Sequence, residues 1–326
     1  MLNVKVGLTL PNRGVLFGAT TPEQMLQMAE IADRSDLFQS VWVGDSLLGK
    51  PRMESVALLS GIAARTRRVR LGPACMASFT LRDPVLLAYQ WASLDLLAEG
   101  RTVLVTCTGI VPQAGGRIEG ELYGLQPVDR VKRLTEWITL VKRLWTEDDV
   151  SFEGEHYRCQ HITIEPKPAR KPRPPIWIAN NPPADQPELV KRTLRRTARH
   201  AEGWETSLWE PEDLRWRLGL LHQLLAEEGR DPAGFETHLY HNININEDRA
   251  AARDEAKRFL DIYYTDDFTP EYVAGWVATG SPEECIEHLR VYRELGFDEV
   301  TLRVAGWDQF AQLGRLMSEV LPALLD

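Results

Sequence analysis

The sequence predicts an α/β protein built as a (β/α)8 barrel, or TIM barrel, that occupies residues 1–326 as a single domain. Three observations favour this fold. Short apolar runs of strand length alternate with longer segments of helix length, the alternation occurs eight times, and several helices begin at a clear capping sequence. Parallel strands joined by right-handed helical crossovers close most naturally into such a barrel. An open doubly wound sheet with an extra lobe is the alternative.

Four of these units lie in the first half of the chain. The helix after the third strand is the best specified, because Asp83 can accept hydrogen bonds from first-turn N–H groups and Pro84 loses nothing at the first helical position. Gly100 suits the left-handed conformation that commonly ends a helix. The expected strands here are 4–10, 40–44, 69–72 and 102–107, and the other expected helices are 21–35, 54–64 and 128–145.

The second half of the chain supplies four more strands and a longer series of helices. The expected strands are 176–179, 203–207, 237–245 and 299–304. Helices are expected at 187–200 and 307–325, and further helices begin near residues 210, 246 and 281. Capping residues followed by proline mark several of these helix starts.

Two long connections are predicted to be insertions after strands 4 and 7 of the barrel. Residues 150–174 contain a hairpin pattern at 151–157, followed by a stiff proline-rich linker. Residues 261–279 are expected to be a long loop with aromatic side chains at Tyr263, Tyr264, Phe268, Tyr272 and Trp276. Such a loop is often a lid over a functional site, and aromatic residues packed beneath a surface loop are the alternative.

Composition excludes several classes of function. A formal net charge of -9 disfavours a nucleic-acid-binding protein, and the arginine-rich segment 192–199 is expected to be a solvated helix face. The four cysteines lack the spacing of a disulfide framework or a zinc site, so no metal is expected. No signal-like segment or apolar run of about 18 residues occurs. We therefore expect a cytoplasmic protein with no nucleic-acid or membrane partner.

Candidate site residues lie just after the strands, because TIM barrels carry their chemistry at the carboxyl ends of the strands. Few of them are nucleophiles or bases, and no paired carboxylates, metal cluster or Schiff-base lysine is evident. An organic cofactor that supplies the reactivity would explain this scarcity. The polar residues at these positions include Thr9, Arg13, Asp45, Thr106, Thr108, Asn180, Asn181, Asn242 and Arg303.

Several motifs, in order along almost the whole chain, resemble the luciferase-like monooxygenase superfamily, which includes bacterial luciferase and F420-dependent oxidoreductases. The most specific is the run from Arg82 to Arg101, which matches the pattern R-x-P-x-x-x-A-x-x-x-x-x-L-D-x-L-x-x-G-R. The other matching segments are 41–46, 68–72, 133–145, 175–179, 199–204, 280–284 and 296–300. The resemblance implies a TIM barrel that binds a flavin or a deazaflavin.

The resemblance also implies positions for the cofactor. Family members carry a non-prolyl cis peptide in the third strand that supports the flavin ring, which predicts a cis bond between Ala74 and Cys75. The cofactor phosphate is expected after the fifth strand. The cofactor-binding residues expected on this basis are Thr9, Ala74, Cys75, Met76, Thr106, Thr108, Asn180 and Asn181. Val105 and Cys107 replace glycines that are common in relatives, so the pocket is either atypical or partly closed.

Asp45 and Asn242 are the candidate catalytic residues, and Arg13, Lys50 and Arg303 are the candidate substrate-binding residues. Asp45 leaves a buried strand at a position where family members place a polar residue near the flavin or the substrate. A carboxylate there can act as an acid or a base, or can instead cap the second helix or pair with a nearby cation.

These observations predict a flavin-dependent monooxygenase that uses reduced FMN and O2 on a small organic substrate, with a flavin reductase as the supplier of reduced FMN. Hydride transfer with F420 is the first alternative, in which Arg13, Lys50, Arg52 or Arg117 would receive the acidic tail of that cofactor. A non-catalytic flavin-binding subunit is the second alternative. The resemblance favours a homodimer, and the substrate is expected to be set by the variable loops.

Overall fold

The computed structural model describes residues 4–109 and 114–325. Its strands are β1 (Lys5–Leu10), β2 (Ser40–Asp45), β3 (Arg70–Met76), β4 (Leu104–Thr106), β5 (Val150–Glu153), β6 (Arg158–Ile162), β7 (Ile176–Ala179), β8 (Gly203–Thr206), β9 (Glu236–Ile245), β10 (Val277–Gly280) and β11 (Glu299–Val304). The main sheet runs in the order β10-β9-β11-β1-β2-β3-β4-β7-β8, and β8 pairs with β9. This last pairing closes the sheet into the predicted eight-stranded parallel barrel, so the open-sheet alternative is wrong.

Helices follow the strands around the outside of the barrel. They are α1 (Pro22–Arg34), α2 (Ser55–Arg65), α3 (Pro84–Leu97), α4 (Ala114–Tyr123), α5 (Pro127–Thr146), α6 (Pro187–His200), α7 (Pro211–Glu227), α8 (Arg249–Tyr264), α9 (Pro270–Trp276), α10 (Pro282–Leu295), α11 (Gln309–Arg315) and α12 (Leu321–Leu325). A π-helical turn at Leu316–Val320 links the last two. Among the described residues, no helix has the length and apolar character needed to cross a membrane.

Local capping explains where several helices begin. The Asp83 side chain accepts a hydrogen bond from the Leu86 N–H ahead of α3, as predicted. Reciprocal capping boxes start α1 at Thr21 and α10 at Ser281. These caps satisfy N–H groups that have no partner within the helix.

The interior of the barrel is packed with side chains. Trp42, Val103, Val105 and Trp177 form a buried cluster there, and the rings of Trp42 and Trp177 are 5.6 Å apart. Leu104 lies between the two valines in the sequence and points the other way, into the core between strands and helices. Because the middle of the barrel is filled, a ligand site can open only at its end.

The antiparallel hairpin of β5 and β6 confirms the predicted insertion after the fourth barrel strand. The prediction of a long loop at residues 261–279 is wrong. Helix α8 continues to Tyr264, α9 follows, and β10 pairs in parallel with the C-terminal half of β9. Thr269 caps α9 by accepting from the Tyr272 N–H. The aromatic side chains of this segment pack on one another, which stabilises regular structure where the sequence suggested a loop.

Helix α4 was not predicted either. Its sequence contains three glycines, which disfavour a helix. A tertiary contact offsets this preference, because Glu119 forms a buried ion pair with Arg130 of α5 and also accepts hydrogen bonds from the N–H groups of Leu48 and Gly49. The helix therefore depends on partners distant in the sequence.

Candidate active site

A cavity of about 920 Å³ opens at the carboxyl ends of the barrel strands. Its wall includes Asp45 at the end of β2, Cys75 in β3, Thr108 after β4, Asn180 after β7 and Arg303 in β11. Cavities of roughly 300–1,000 Å³ with a few placed polar groups are typical of small-molecule and cofactor sites. The cavity therefore lies where the barrel fold places its chemistry.

Most of the predicted site residues meet at this cavity. Those that line it are Asp45, Lys50, Ala74, Cys75, Thr108, Asn180, Asn181 and Arg303. The others, Thr9, Arg13, Met76, Thr106 and Asn242, are buried elsewhere and have internal contacts. Cys107, a departure from the family pattern, also lines the cavity.

The buried polar residues outside the cavity bond to the protein itself. The Thr9 hydroxyl lies 3.0 Å from that of Thr301, and the Thr106 hydroxyl donates to the Trp177 carbonyl at 3.0 Å. Arg13 donates to the carbonyl of Pro51. The Asn242 amide donates weakly, at 3.4 Å, to the Trp276 carbonyl. These contacts hold strands and loops together, and a role of these residues in ligand binding stays a prediction.

Asp45 uses both carboxylate oxygens within the protein. Oδ1 accepts from the Ser55 hydroxyl at 2.7 Å, and Oδ2 accepts from the N–H and the hydroxyl of Ser78 at 2.8 and 2.6 Å. Arg82 lies 3.3 Å from Oδ1. Asp45 thus joins the start of α2 to the turn after β3, an arrangement that favours a positioning role.

Two cysteine side chains line the cavity, Cys75 in β3 and Cys107 just after β4. The peptide bond between Ala74 and Cys75 is cis, as predicted. The Sγ atoms of Cys75 and Cys107 lie 2.7 Å apart. This contact, together with burial, raises the pKa of the Cys75 thiol well above its ordinary value. Cys75 is therefore a neutral, weakly nucleophilic group at neutral pH.

Glu205 is the site residue that the sequence reasoning missed. It belongs to β8, lines the cavity and is almost fully buried. Oε2 lies 2.8 Å from Nδ1 of His238 on β9. Burial raises the pKa of Glu205, although the hydrogen bond with His238 acts in the opposite direction. The available signal was strand alternation: Trp204 packs toward the helices, so the next residue must face the barrel interior.

A second carboxyl group faces the other nitrogen of His238. Glu299 Oε1 is 3.5 Å from His238 Nε2, and Glu299 Oε2 accepts from Arg70 at 2.7 Å. Burial opposes ionisation of Glu299, but His238, Arg70 and the Ser40 hydroxyl hold its pKa below the ordinary value. The pKa of Glu205 is therefore raised and that of Glu299 is lowered. This pattern favours Glu205 as the proton donor and Glu299 as the charged group. Glu205 is the one that can exchange a proton with the cavity.

Two arginines on α6 line the cavity at its β7 side. Arg192 and Arg199 are exposed, as expected for a solvated helix face, whereas Arg195 and Arg196 are only half-buried. Arg195 and Arg199 form ion pairs with Glu227 and Glu228. Arg192 and Arg196 instead line the cavity. Burial and the neighbouring charge of Arg192 lower the pKa of Arg196. Within residues 4–109 and 114–325, neither has a carboxylate at ion-pair distance, so the pair is available to an anion.

A second cationic group lies on the other side of the cavity. Lys50 and Arg52 follow β2, and Arg303 lies in β11. In the closed ring of barrel strands, β1 stands between β11 and β2 and lies opposite β7. Burial and the charge of Arg52 lower the pKa of Lys50 to about 8. The cavity thus has positive charge at two opposite sides, with Cys75, Cys107 and Glu205 also in its wall.

The fold and this cavity define a TIM-barrel protein with a cofactor-sized site at the carboxyl ends of its barrel strands. The family model described as "Luciferase-like monooxygenase" matches residues 4–299. The chain therefore belongs to the luciferase-like monooxygenase family and is an oxidoreductase of this type.

Curated relatives include enzymes of two cofactor classes. An F420-dependent glucose-6-phosphate dehydrogenase of Nakamurella multipartita is 26% identical, and the match covers 93% of each chain. The oxygenase component of a flavin-dependent trigonelline monooxygenase from Acinetobacter baylyi is 24% identical over 92% of this chain and 89% of its own.

Solved structures agree with the fold. The monooxygenase RslO1 from Streptomyces bottropensis superposes with a TM-score of 0.78 at 23% identity, covering 98% of this chain and 99% of its own. An F420-dependent secondary alcohol dehydrogenase, solved with an F420-acetone adduct, gives a TM-score of 0.82 at 16% identity and covers 99% of this chain and 100% of its own. At these identities the likeness establishes the fold alone.

Proposed function

We propose that the protein is a flavin-dependent monooxygenase that uses reduced FMN and O2 on a small organic substrate. The observation that carries this proposal is the cavity, which is large enough for a tricyclic ring with a substrate and has few reactive groups of its own. Family membership and the flavin-dependent relative support the same chemistry. A separate flavin reductase would supply the reduced cofactor, since the relative is the oxygenase component of its system.

The cavity residues fit FMN. The Oδ1 atom of Asn180 is buried and has no hydrogen-bond partner among the described residues, so it can accept from a cofactor N–H or O–H group. Arg192 and Arg196 can receive the phosphate, and Asn181 lies on the same side. The residues Ala74 and Cys75 can support the apolar ring from β3. Reduced flavin, when bound, supplies the electrons that activate O2.

The protein's own groups would hold protons and exclude water. Glu205 has a raised pKa and contacts His238, so it can carry a proton at the cavity wall. Asp45 keeps the loop after β3 in place through its bonds to Ser78. The aromatic side chains Phe268 and Trp276 line the cavity and exclude water from that side.

The second candidate is hydride transfer with F420. The F420-dependent relatives favour it, as does the positive charge on two opposite sides of the cavity, which can bind an acidic cofactor tail. A non-catalytic flavin-binding subunit is the third possibility, and turnover measurements separate it from the other two.

We also propose that the protein is a cytoplasmic homodimer. Leu86, Tyr89 and Leu97 leave a large fraction of their apolar surface exposed on α3 and can contribute to a subunit interface. The free state of all four cysteines supports a reducing compartment.

Reconstitution tests the three functions in one design. Purified protein is mixed with reduced FMN in the presence of O2, or with reduced F420 without O2, across a panel of substrates. Substrate-dependent incorporation of labelled oxygen supports the monooxygenase, and substrate-dependent absorbance change of F420 without O2 supports hydride transfer. Tight flavin binding without either response supports the binding subunit. Failure to bind both cofactors contradicts all three.

A further inference from the structure

Arg303 is a fully buried cation at the cavity wall. Its side chain is 1% exposed, and its Cζ lies 4.1 Å from the ring centre of Tyr263 and 5.1 Å from that of Tyr240. In the part of the chain that the structure describes, no carboxylate lies within ion-pair distance of the guanidinium. Arginine remains charged in proteins, and a buried charge without a counter-charge is costly. The site therefore has an unmet demand for an anion.

The hydrogen bonds of Arg303 leave one edge of the guanidinium free. Nη1 donates to the Tyr264 hydroxyl at 2.8 Å, whereas Nε is buried and has no hydrogen-bond partner within residues 4–109 and 114–325. The edge formed by Nε and Nη2 presents two parallel N–H groups, a geometry that matches the two oxygens of a carboxylate. The Tyr264 hydroxyl is also 2.9 Å from that of Tyr240, which fixes the position of the guanidinium.

Aromatic rings line the same cavity as Arg303. They belong to Tyr240, Tyr264, Phe268, Tyr272 and Trp276, and the Arg303 Cζ lies 5.7 Å from the ring centre of Tyr264. The ring of Trp276 lies 5.7 Å from Tyr240, 5.5 Å from Tyr264 and 5.9 Å from Phe268. Rings at such distances and tilts form apolar surfaces that favour another aromatic ring. We call these five rings with Arg303 the aromatic corner.

Lys50 adds a second positive charge to the aromatic corner. The side chain is buried, and its Nζ lies 4.7 Å from the ring centre of Tyr264. The fields of Arg13 and Arg52 disfavour its charged form, and that of Asp266 favours it. Asp266 is thus the one carboxylate in this group, and it faces Lys50, Arg13 and Arg52. The local charge therefore remains positive.

We propose that the aromatic corner is the substrate subsite and that it binds a planar aromatic carboxylic acid, with the carboxylate on Arg303 and the ring against Tyr264 and Trp276. This inference rests on the proposed function in one respect, namely that a cofactor fills the rest of the cavity. The phosphate of that cofactor has its own partners, Arg192 and Arg196, on the opposite side of the barrel. The aromatic corner is therefore available to the second reactant.

Equilibrium binding to the cofactor-free protein tests this subsite. Calorimetry and tryptophan fluorescence follow titrations with benzoate, with its uncharged counterpart benzamide, with cyclohexanecarboxylate, and with phenyl phosphate. Benzoate should bind best, and the R303Q variant should weaken benzoate by at least about tenfold while leaving benzamide unchanged, because a hydrogen bond to a charged partner is lost. The R195Q variant, which removes an arginine paired outside the cavity, should bind benzoate as the wild type does.

Several results would overturn the assignment. Equal binding of benzoate and benzamide contradicts a carboxylate site, as does binding of phenyl phosphate that is tighter than that of benzoate and is weakened by R303Q. Equal binding of cyclohexanecarboxylate contradicts an aromatic site. If R303Q does not fold by circular dichroism, the Y264F variant replaces it, since it keeps the ring and removes the hydroxyl that holds Nη1. Y264F should weaken benzoate more than benzamide, and equal effects refute the proposal. FMN titrations run in parallel: FMN binding without benzoate binding refutes this inference alone, and the reverse result refutes the proposed cofactor alone.

Discussion

Replacing Arg192 and Arg196 of α6, which have no carboxylate at ion-pair distance in the described part of the chain, should weaken the binding of FMN but not that of riboflavin. The double variant R192Q/R196Q removes the positive charge at the β7 side of the cavity, where Arg196 is half-buried and Arg192 lies at the rim. A hydrogen bond to a charged partner contributes about 1.5–3 kcal/mol, and the exposure of Arg192 reduces its share. We expect a loss of about 2 kcal/mol for the pair, or about thirtyfold in Kd.

The matched control lies on the same helix. The double variant R195Q/R199Q removes the same charge, but its arginines pair with Glu227 and Glu228 away from the cavity. Its Kd for FMN should stay within about twofold of the wild-type value, because long-range effects of exposed charges are screened by salt. Circular dichroism and thermal melting confirm that both variants fold.

Fluorescence titration with FMN and riboflavin at two salt concentrations measures these effects. The wild type should prefer FMN, and its preference should fall as salt rises, whereas R192Q/R196Q should bind the two flavins alike. The reasoning is refuted if R192Q/R196Q weakens riboflavin as much as FMN, or if it binds FMN with the wild-type Kd. Equal loss in R195Q/R199Q would also refute it, since net charge would then explain the result.

Three further predictions concern single side chains. E205Q keeps an acceptor for His238 but cannot exchange a proton, so kcat should fall by about 10²–10⁴-fold and its pH dependence should flatten. A change in KM alone would count against the proton-carrying role. Burial lowers the pKa of His288 to about 4. As pH falls below about 6.5, the unfolded chain therefore takes up a proton at this residue before the folded protein does, which lowers the stability of the wild type. H288Q should retain about 2 kcal/mol more unfolding free energy at about pH 5 than the wild type, unlike the exposed control H222Q. D45N loses acceptors for buried hydroxyls, so its unfolding free energy should drop by about 1–3 kcal/mol in chemical denaturation; unchanged stability with lost turnover would restore a catalytic role.

The barrel was predictable because its signals are local. Capping residues, proline at first helical positions and short apolar runs all lie within a few positions of the element that they specify. The elements that were missed depend on distant partners: α4 needs the Glu119–Arg130 ion pair, and β10 needs β9 to pair with. At 261–279 the sequence does not show that the aromatic residues pack on one another, and in the fold they form a cluster that stabilises regular structure.

The site was predictable in location but not in its charges. Strand ends place Asp45, Cys75 and Asn180 at one cavity. Whether a charged residue is paired is a tertiary property, so the sequence could not separate Arg196, which lines the cavity, from Arg199, which pairs with an acid. For the same reason the bonds that occupy Asp45 were not visible in its sequence context.

Calorimetric titration of the folded protein with reduced FMN and with reduced F420, both without O2, tests the central claim most directly. The account predicts saturable binding of one of the two at about one site per chain, with a rise in melting temperature from the same ligand. If neither cofactor releases heat nor shifts the melting temperature while circular dichroism reports a folded chain, the cavity is not a site for a flavin or a deazaflavin and the account is contradicted.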